Sequence, residues 1–271
     1  MAVLTLGIIG CGNMGGAIAL AVLKTVALHE TCIVGATDIT ENMRPIIEKA
    51  GGRWWRTPSE LASDCDLVLL GVKPYQVAAV IQEILPSLNK NKTLLSIAAG
   101  QPLSSLRSLL KGVCPAVQIM PNTPALIGEG VFALCFDDPD LPDDRKNAVQ
   151  TIFSALGAAY VLPENKMNAF SAVVGCGPAY VYAMMDAVIE ASVTLGFTRA
   201  DAIAMTASLF KGAARMVEET KLSPNTLHGQ VTSPGGMTIV GTNYLARTAV
   251  RGHIIDAILA ADARGKAMEK E

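Results

Sequence analysis

The chain has 271 residues, 51% of them hydrophobic and only 17% charged, a balance that buries enough apolar surface to fold and excludes disorder as the main state. Lys and Arg number 22 against 24 Asp and Glu, a formal charge of −2, so no basic footprint for nucleic acid or an anionic membrane is present. This length suits one large or two moderate domains whose core needs no disulfide or metal staple.

Short apolar runs alternate with helical patterns through the first half. Strands are predicted at Val3–Ile9, Cys32–Thr37, Asp66–Gly71, Thr93–Ala98 and Val117–Met120, with helices at Asn13–Leu28, Glu41–Ala50, Tyr75–Leu85 and Leu103–Leu110. Strands apolar on both faces at this spacing mean βαβ units and a buried, doubly wound parallel sheet of Rossmann type. The stretch Asp137–Asp144 is turn-rich, a helix follows to Leu156, and Ala158–Leu162 is a last strand. After Pro163 only helices are predicted: Ala179–Leu195, Arg199–Thr220 and one from Thr238 to Glu271. The reading is therefore α/β, with residues 1–162 a dinucleotide-binding domain and 163–271 an all-α substrate and dimerisation domain. Ala179–Leu195 carries only Asp186 and Glu190 as charges; a helix apolar all round must be buried on every side. So few surrounding residues cannot cover it alone, which predicts an interleaved homodimer.

The opening stretch lacks a basic lead, and glycines at 7, 10, 12, 15 and 16 break its apolar run, unlike a signal peptide or membrane span. Met167–Met185 is likewise interrupted by Gly175, Gly177 and Pro178. Cysteines 11, 32, 65, 114, 135 and 176 form no CxxC pair, and His29, His228 and His253 lie far apart. That pattern predicts reduced core thiols, no metal site and a cytoplasmic protein with no membrane or nucleic-acid partner.

The first strand runs into Gly10-Cys11-Gly12-Asn13-Met14-Gly15. In this context the fingerprint is strong: Gly10 permits the tight turn, Gly12 lets a pyrophosphate reach the backbone, and Gly15 lets helix pack on strand. Phosphates then meet free N–H groups at a helix N-terminus. Asp38 ends the second strand, where a carboxylate accepts from the adenosine ribose and repels a 2′-phosphate. Its other reading is a turn or capping residue ahead of Glu41. On the first reading NADH serves at least as well as NADPH, although Arg44 could pair with the phosphate. Val72-Lys73-Pro74, the small residues Ala98 and Ala99 and the Met120-Pro121-Asn122-Thr123-Pro124 segment with Asn122 follow further strand ends, where open α/β sheets bind ligands. In the second half, Ser233-Pro234-Gly235-Gly236-Met237-Thr238 presents backbone N–H groups and hydroxyls ahead of a helix, suited either to a small carboxylate or to a capped turn between helices.

In order and spacing, IIGCGNMG, VKP, SIAAG, MPNTP, GCGPAYVY and VTSPGGMT resemble the pyrroline-5-carboxylate reductases, the last enzymes of proline synthesis, over the whole chain. That resemblance implies reduction of the cyclic C=N bond of 1-pyrroline-5-carboxylate to L-proline, NADP or NAD as cofactor, and dimers that in many members assemble into decamers. It implies that Ser233 and Thr238 are the catalytic residues, Thr238 with its hydroxyl near the ring nitrogen, and that Gly235, Gly236, Met237 and Thr238 bind the substrate in the loop holding its carboxylate. Val174 and Cys176 replace hydroxyls of the usual SGSGPAY, and Gly241–Ala246 departs from the usual segment after the threonine. A protonated imine is already electrophilic, so no strong general acid is required. Two rivals share parts of the pattern: a two-domain β-hydroxyacid dehydrogenase, with Lys211 as acid/base, and a dinucleotide-sensing protein without turnover.

Overall fold

The computed structural model describes residues 4–25, 28 and 32–268; His29 and the outermost ends of the first and last predicted elements lie outside them. In chain order the elements are β1 (Leu4–Ile9), α1 (Asn13–Lys24), β2 (Cys32–Thr37), α2 (Arg44–Lys49), β3 (Arg53–Trp54), α3 (Pro58–Asp64), β4 (Leu67–Leu70) and α4 (Val77–Ile84). Then follow β5 (Thr93–Ser96), α5 (Leu103–Leu110), β6 (Ala116–Met120), β7 (Gly130–Cys135), α6 (Asp143–Ser154), β8 (Gly157–Val161) and α7 (Glu164–Phe170). Five helices complete the chain: α8 (Gly177–Thr194), α9 (Arg199–Thr220), α10 (Pro224–Gln230), α11 (Met237–Arg247) and α12 (Val250–Met268).

The strands form one eight-stranded sheet in the order β3-β2-β1-β4-β5-β6-β7-β8. Its middle strands are apolar on both faces because helices cover both: every residue of Leu67–Leu70 is buried, as parallel sheets require. One cluster packs Ile18, Ala19 and Val22 of α1 and Val149, Ile152 and Phe153 of α6 on one face. The other packs Leu61 of α3, Ile81 of α4 and Leu106 of α5 with Met167 and Phe170 of α7.

The all-parallel expectation needs one correction. β7, unassigned from the sequence, pairs antiparallel with β6. Only a 3₁₀ turn at Thr123–Ile127 separates the two strands, and without a crossover helix the chain has to return antiparallel. α1 also stops before Leu28: Thr25 turns to extended backbone, and its hydroxyl donates back to the Ala21 carbonyl at 2.7 Å. The helix expected to run unbroken from Thr238 is two helices, split where Ala249 takes φ 56°. Gly175, Gly177 and Pro178 do not end the helical run either. The chain passes through a π turn at Ser171–Gly175, and Pro178 sits in the first turn of α8, where no N–H is needed. Glu164–Thr194 is consequently long and apolar enough to cross a bilayer by length and composition.

The chain forms two compact units, Met1–Cys176 with Asp262–Glu271, and Gly177–Ala261. Thus α7 packs with the sheet although the residue pattern changes at Pro163. The end of α12 belongs there too: the Asn168 amide donates to the Asp262 carbonyl at 2.9 Å and to its carboxylate at 2.8 Å. In the second unit α9 buries Ala202 and Thr206, whereas α8 buries nothing within the single chain. Tyr182 is 59% exposed, Leu209 58% and Leu259 60%. A soluble chain rarely leaves so many large apolar side chains open unless another surface covers them.

Candidate active site

The glycine turn sits between the end of β1 and the start of α1. Gly10 has φ +95°, a left-handed conformation that only glycine adopts without strain. A Cβ on Gly15 would collide with the Gly10 carbonyl oxygen, and one on Gly71 would strike the same oxygen. Those two glycines let α1 and the end of β4 close on the turn. Gly12 differs: a Cβ there would meet no protein atom within 4 Å. Its φ of −65° suits any residue, so the fold itself does not require glycine at 12. The space in front of it is available to a ligand.

Gly12 is also the N-cap of α1. It supplies no side-chain cap, and the first turn holds no acidic residue. The N–H groups of Asn13, Met14 and Gly15, which have no intrahelical acceptor, are free to meet an anion. This arrangement fits a pyrophosphate. Gly10, Gly12, Thr37, Asp38, Gly71, Val72 and Lys73 line one cavity of about 530 Å³ at the C-terminal ends of β1, β2 and β4.

Asp38 has a local task. One carboxylate oxygen accepts from the Cys11 N–H inside the glycine turn, and the other accepts from the Thr40 N–H at 2.9 Å and its hydroxyl at 3.3 Å. The residue therefore clamps the turn and lines the cavity at once. Arg44 does not line it. Its guanidinium lies 3.3 Å from Glu41 and 3.0 Å from Glu48, and those carboxylates raise its pKa. Arg56, Gln76, Val80 and Glu83 are cavity residues that the sequence reading missed.

Lys73 is exposed, and its backbone N–H donates to Gln76 Oε1 at 3.1 Å, opening the short turn that Pro74 begins. Past β5, Ala98 is buried with its N–H on Ser96 Oγ, and Ala99 is exposed. Asn122 is buried. Its oxygen accepts from Val131 N–H at 2.9 Å and its amide donates to Val174 O at 3.4 Å, so the side chain joins the start of β7 to the end of the π turn. Cys11 packs beside the clamp as a neutral thiol: burial, with the Asp38 charge adding to it, pushes its pKa up to about 12. Burial likewise raises Cys65 to about 12 and Cys32, Cys114 and Cys135 to about 11, which makes them core residues and not nucleophiles.

The second group of predicted residues lies in the helical unit. Ser233-Pro234-Gly235-Gly236 is a tight turn in which the Gly236 N–H donates to the Ser233 carbonyl at 3.1 Å. Proline fits its second position, and Gly235 at φ +72° fits its third. Gly236 then caps α11, with no side-chain cap and no acid in the first turn. Met237 is 94% exposed, and Thr238 stands at the second helical position with its hydroxyl on no protein acceptor among the described residues. The hydroxyl is therefore not the helix cap. Uncapped N–H groups of α11 and the open hydroxyls of Ser233 and Thr238 form a surface matched to a small carboxylate. Lys211 is exposed on α9.

A glycine turn opening onto empty space at the switch of a doubly wound sheet defines a dinucleotide-binding protein of the Rossmann class. The chain matches the family model for pyrroline-5-carboxylate reductase dimerisation over residues 164–268, and that for NADP oxidoreductase, coenzyme F420-dependent, over residues 5–100. It is 32% identical to a pyrroline-5-carboxylate reductase of Methanosarcina acetivorans over 98% of both chains. The structure of a pyrroline-5-carboxylate reductase from Coxiella burnetii superposes with a TM-score of 0.90 at 29% identity, covering 99% of each chain. That of the Plasmodium falciparum pyrroline carboxylate reductase with NADP bound gives 0.88 at 29% identity over 98% of each. The chain belongs to the pyrroline-5-carboxylate reductase family.

Proposed function

We propose that this chain reduces 1-pyrroline-5-carboxylate to L-proline with NADPH or NADH as hydride donor. The observation that carries the proposal is the pair of open, uncapped helix N-termini in a member of this family that matches its relatives over nearly their whole length. One, behind Gly12, takes a pyrophosphate; the other, behind Gly236, takes a carboxylate. When bound, the reduced nicotinamide cofactor supplies the hydride. Gly10, Gly12, Asn13, Met14 and Gly15 hold its pyrophosphate, Asp38 fixes the turn that carries them, and Val72, Lys73 and Pro74 with Ala98, Ala99 and Asn122 belong to its cradle.

Ser233, Gly235, Gly236 and Met237 hold the substrate carboxylate, and the Thr238 hydroxyl orients the ring nitrogen and keeps its proton in place. The protein's contribution is mainly positioning. Residues 1–162 act as the cofactor domain and 163–271 as the substrate and dimerisation domain. Six free cysteines, five of them buried, support a reducing, cytoplasmic setting. Purified protein is expected to oxidise NADPH or NADH only when pyrroline-5-carboxylate is added; no turnover with either cofactor overturns the proposal.

The exposed apolar faces of α8, α9 and α12 support a homodimer as the working form, with decamers built from it. Light scattering at micromolar concentration is expected to give at least twice the chain mass of 28.4 kDa. A stable folded monomer would contradict this reading.

A further inference from the structure

The cavity behind the glycine turn is lined by one arginine, Arg56, that the sequence pattern does not reveal. We propose that Arg56 reads the 2′ position of the adenosine ribose and makes this chain prefer the 2′-phosphorylated cofactor, an inference that rests on the dinucleotide reading of the site. Two arginines lie near the end of β2, and the structure separates them. Arg44 is held by Glu41 and Glu48 and does not line the cavity. Arg56 lines it beside Thr37, Asp38 and Ile39, and among the described residues its guanidinium has no ion pair or hydrogen bond.

The main chain that carries Arg56 is fixed next to the ribose end of the cavity. The Trp55 N–H donates to the Ala36 carbonyl at 3.0 Å, one residue before Thr37. The Trp55 indole N–H donates to Asp64 at 2.8 Å, and the Arg53 guanidinium stacks 4.5 Å above the indole. The Arg56 N–H donates to Glu60 at 3.2 Å, and the Thr57 hydroxyl caps α3 by accepting from Glu60 N–H. A side chain sprung from so constrained a backbone loses less freedom on engaging a ligand.

The carboxylates around it do not cancel this preference. Asp38 already accepts from the Cys11 N–H and from the N–H and hydroxyl of Thr40, which spreads its charge and leaves fewer lone pairs for a ribose diol. Glu41 is paired with Arg44. Glu83 and Lys73 line the same cavity with opposite charges. A guanidinium fork matches phosphate oxygens in pairs, which an ammonium cannot do.

The test uses two redox-inert fragments, ADP-ribose and its 2′-phosphate, titrated calorimetrically into the whole 271-residue chain at low and physiological salt. Wild type is expected to bind the phosphorylated fragment at least about 10-fold tighter. Arg56→Ala should bring the ratio to within about threefold of unity and leave ADP-ribose affinity and thermal stability unchanged. Arg56→Lys should restore part of the ratio, because the charge returns without the fork. Arg44→Ala should leave it unchanged. A ratio near unity in wild type, a ratio that survives Arg56→Ala, or one that collapses in Arg44→Ala overturns the proposal. If neither fragment binds, the dinucleotide reading fails and this inference with it, an outcome distinct from binding without discrimination.

Discussion

Gly12→Val is expected to lower nucleotide affinity by about 100-fold, roughly 2.7 kcal/mol, and to leave the thermal midpoint within a degree or two of wild type. Since a Cβ at 12 meets no protein atom, the added side chain enters solvent in the free protein and blocks the pyrophosphate in the complex. Gly15→Ala should behave the other way round. A single methyl would press on the Gly10 carbonyl in a buried contact, and overpacking of this kind costs about 1–3 kcal/mol of stability. Calorimetric titration and thermal melts of the two variants check both halves. Equal destabilisation by both would show that the space at Gly12 belongs to the fold and not to a ligand.

Thr238→Ala is expected to reduce kcat/KM for pyrroline-5-carboxylate by about 10- to 1000-fold, the range for one lost hydrogen bond at a reacting centre. Cofactor affinity and stability should hold, because Gly236 and not Thr238 caps α11 and exposed substitutions typically move stability by under about 0.5 kcal/mol. Thr238→Ser keeps the hydroxyl and should retain most activity. Unchanged kcat/KM in the alanine variant would remove Thr238 from the reaction.

What the sequence made legible depended on local signals. Gly10, Gly12 and Gly15 announced the nucleotide turn because each glycine meets a separate steric demand within six residues. The bounds Arg199–Thr220 match the helix to the residue, and its cap, Thr198, is seen only in the structure. β7 escaped because Gly130–Cys135 follows a 3₁₀ turn and not the crossover helix that a parallel reading looks for. The break after α11 escaped for a different reason: Ala249 is a good helix former, so nothing local marks its left-handed turn. For α10, Ser223-Pro224 offered a cap and a first-turn proline, a signal that could have found it. Arg56 was invisible as a site residue, since its place depends on β3, two residues long and held by tertiary contacts. At Asp38 the sequence allowed a ribose ligand or a turn cap; the fold shows the second in place, on the wall of the cavity.

The hydrogen bonds from Asn168 to Asp262 span 94 residues, and Met268 lies 3.8 Å from where a Cβ on Gly100 would stand. The unit that holds the sheet is thus completed by a segment made only after the whole helical unit has been translated. At synthesis rates of about 5–20 residues per second, a nascent N-terminal unit waits roughly 5 to 20 seconds for that closing segment. The eight strands, all made by Val161, can pair before that segment emerges, and what waits for it is the anchoring of α7. A chain cut short just before Asp262 would retain every strand and still lack the clasp on α7.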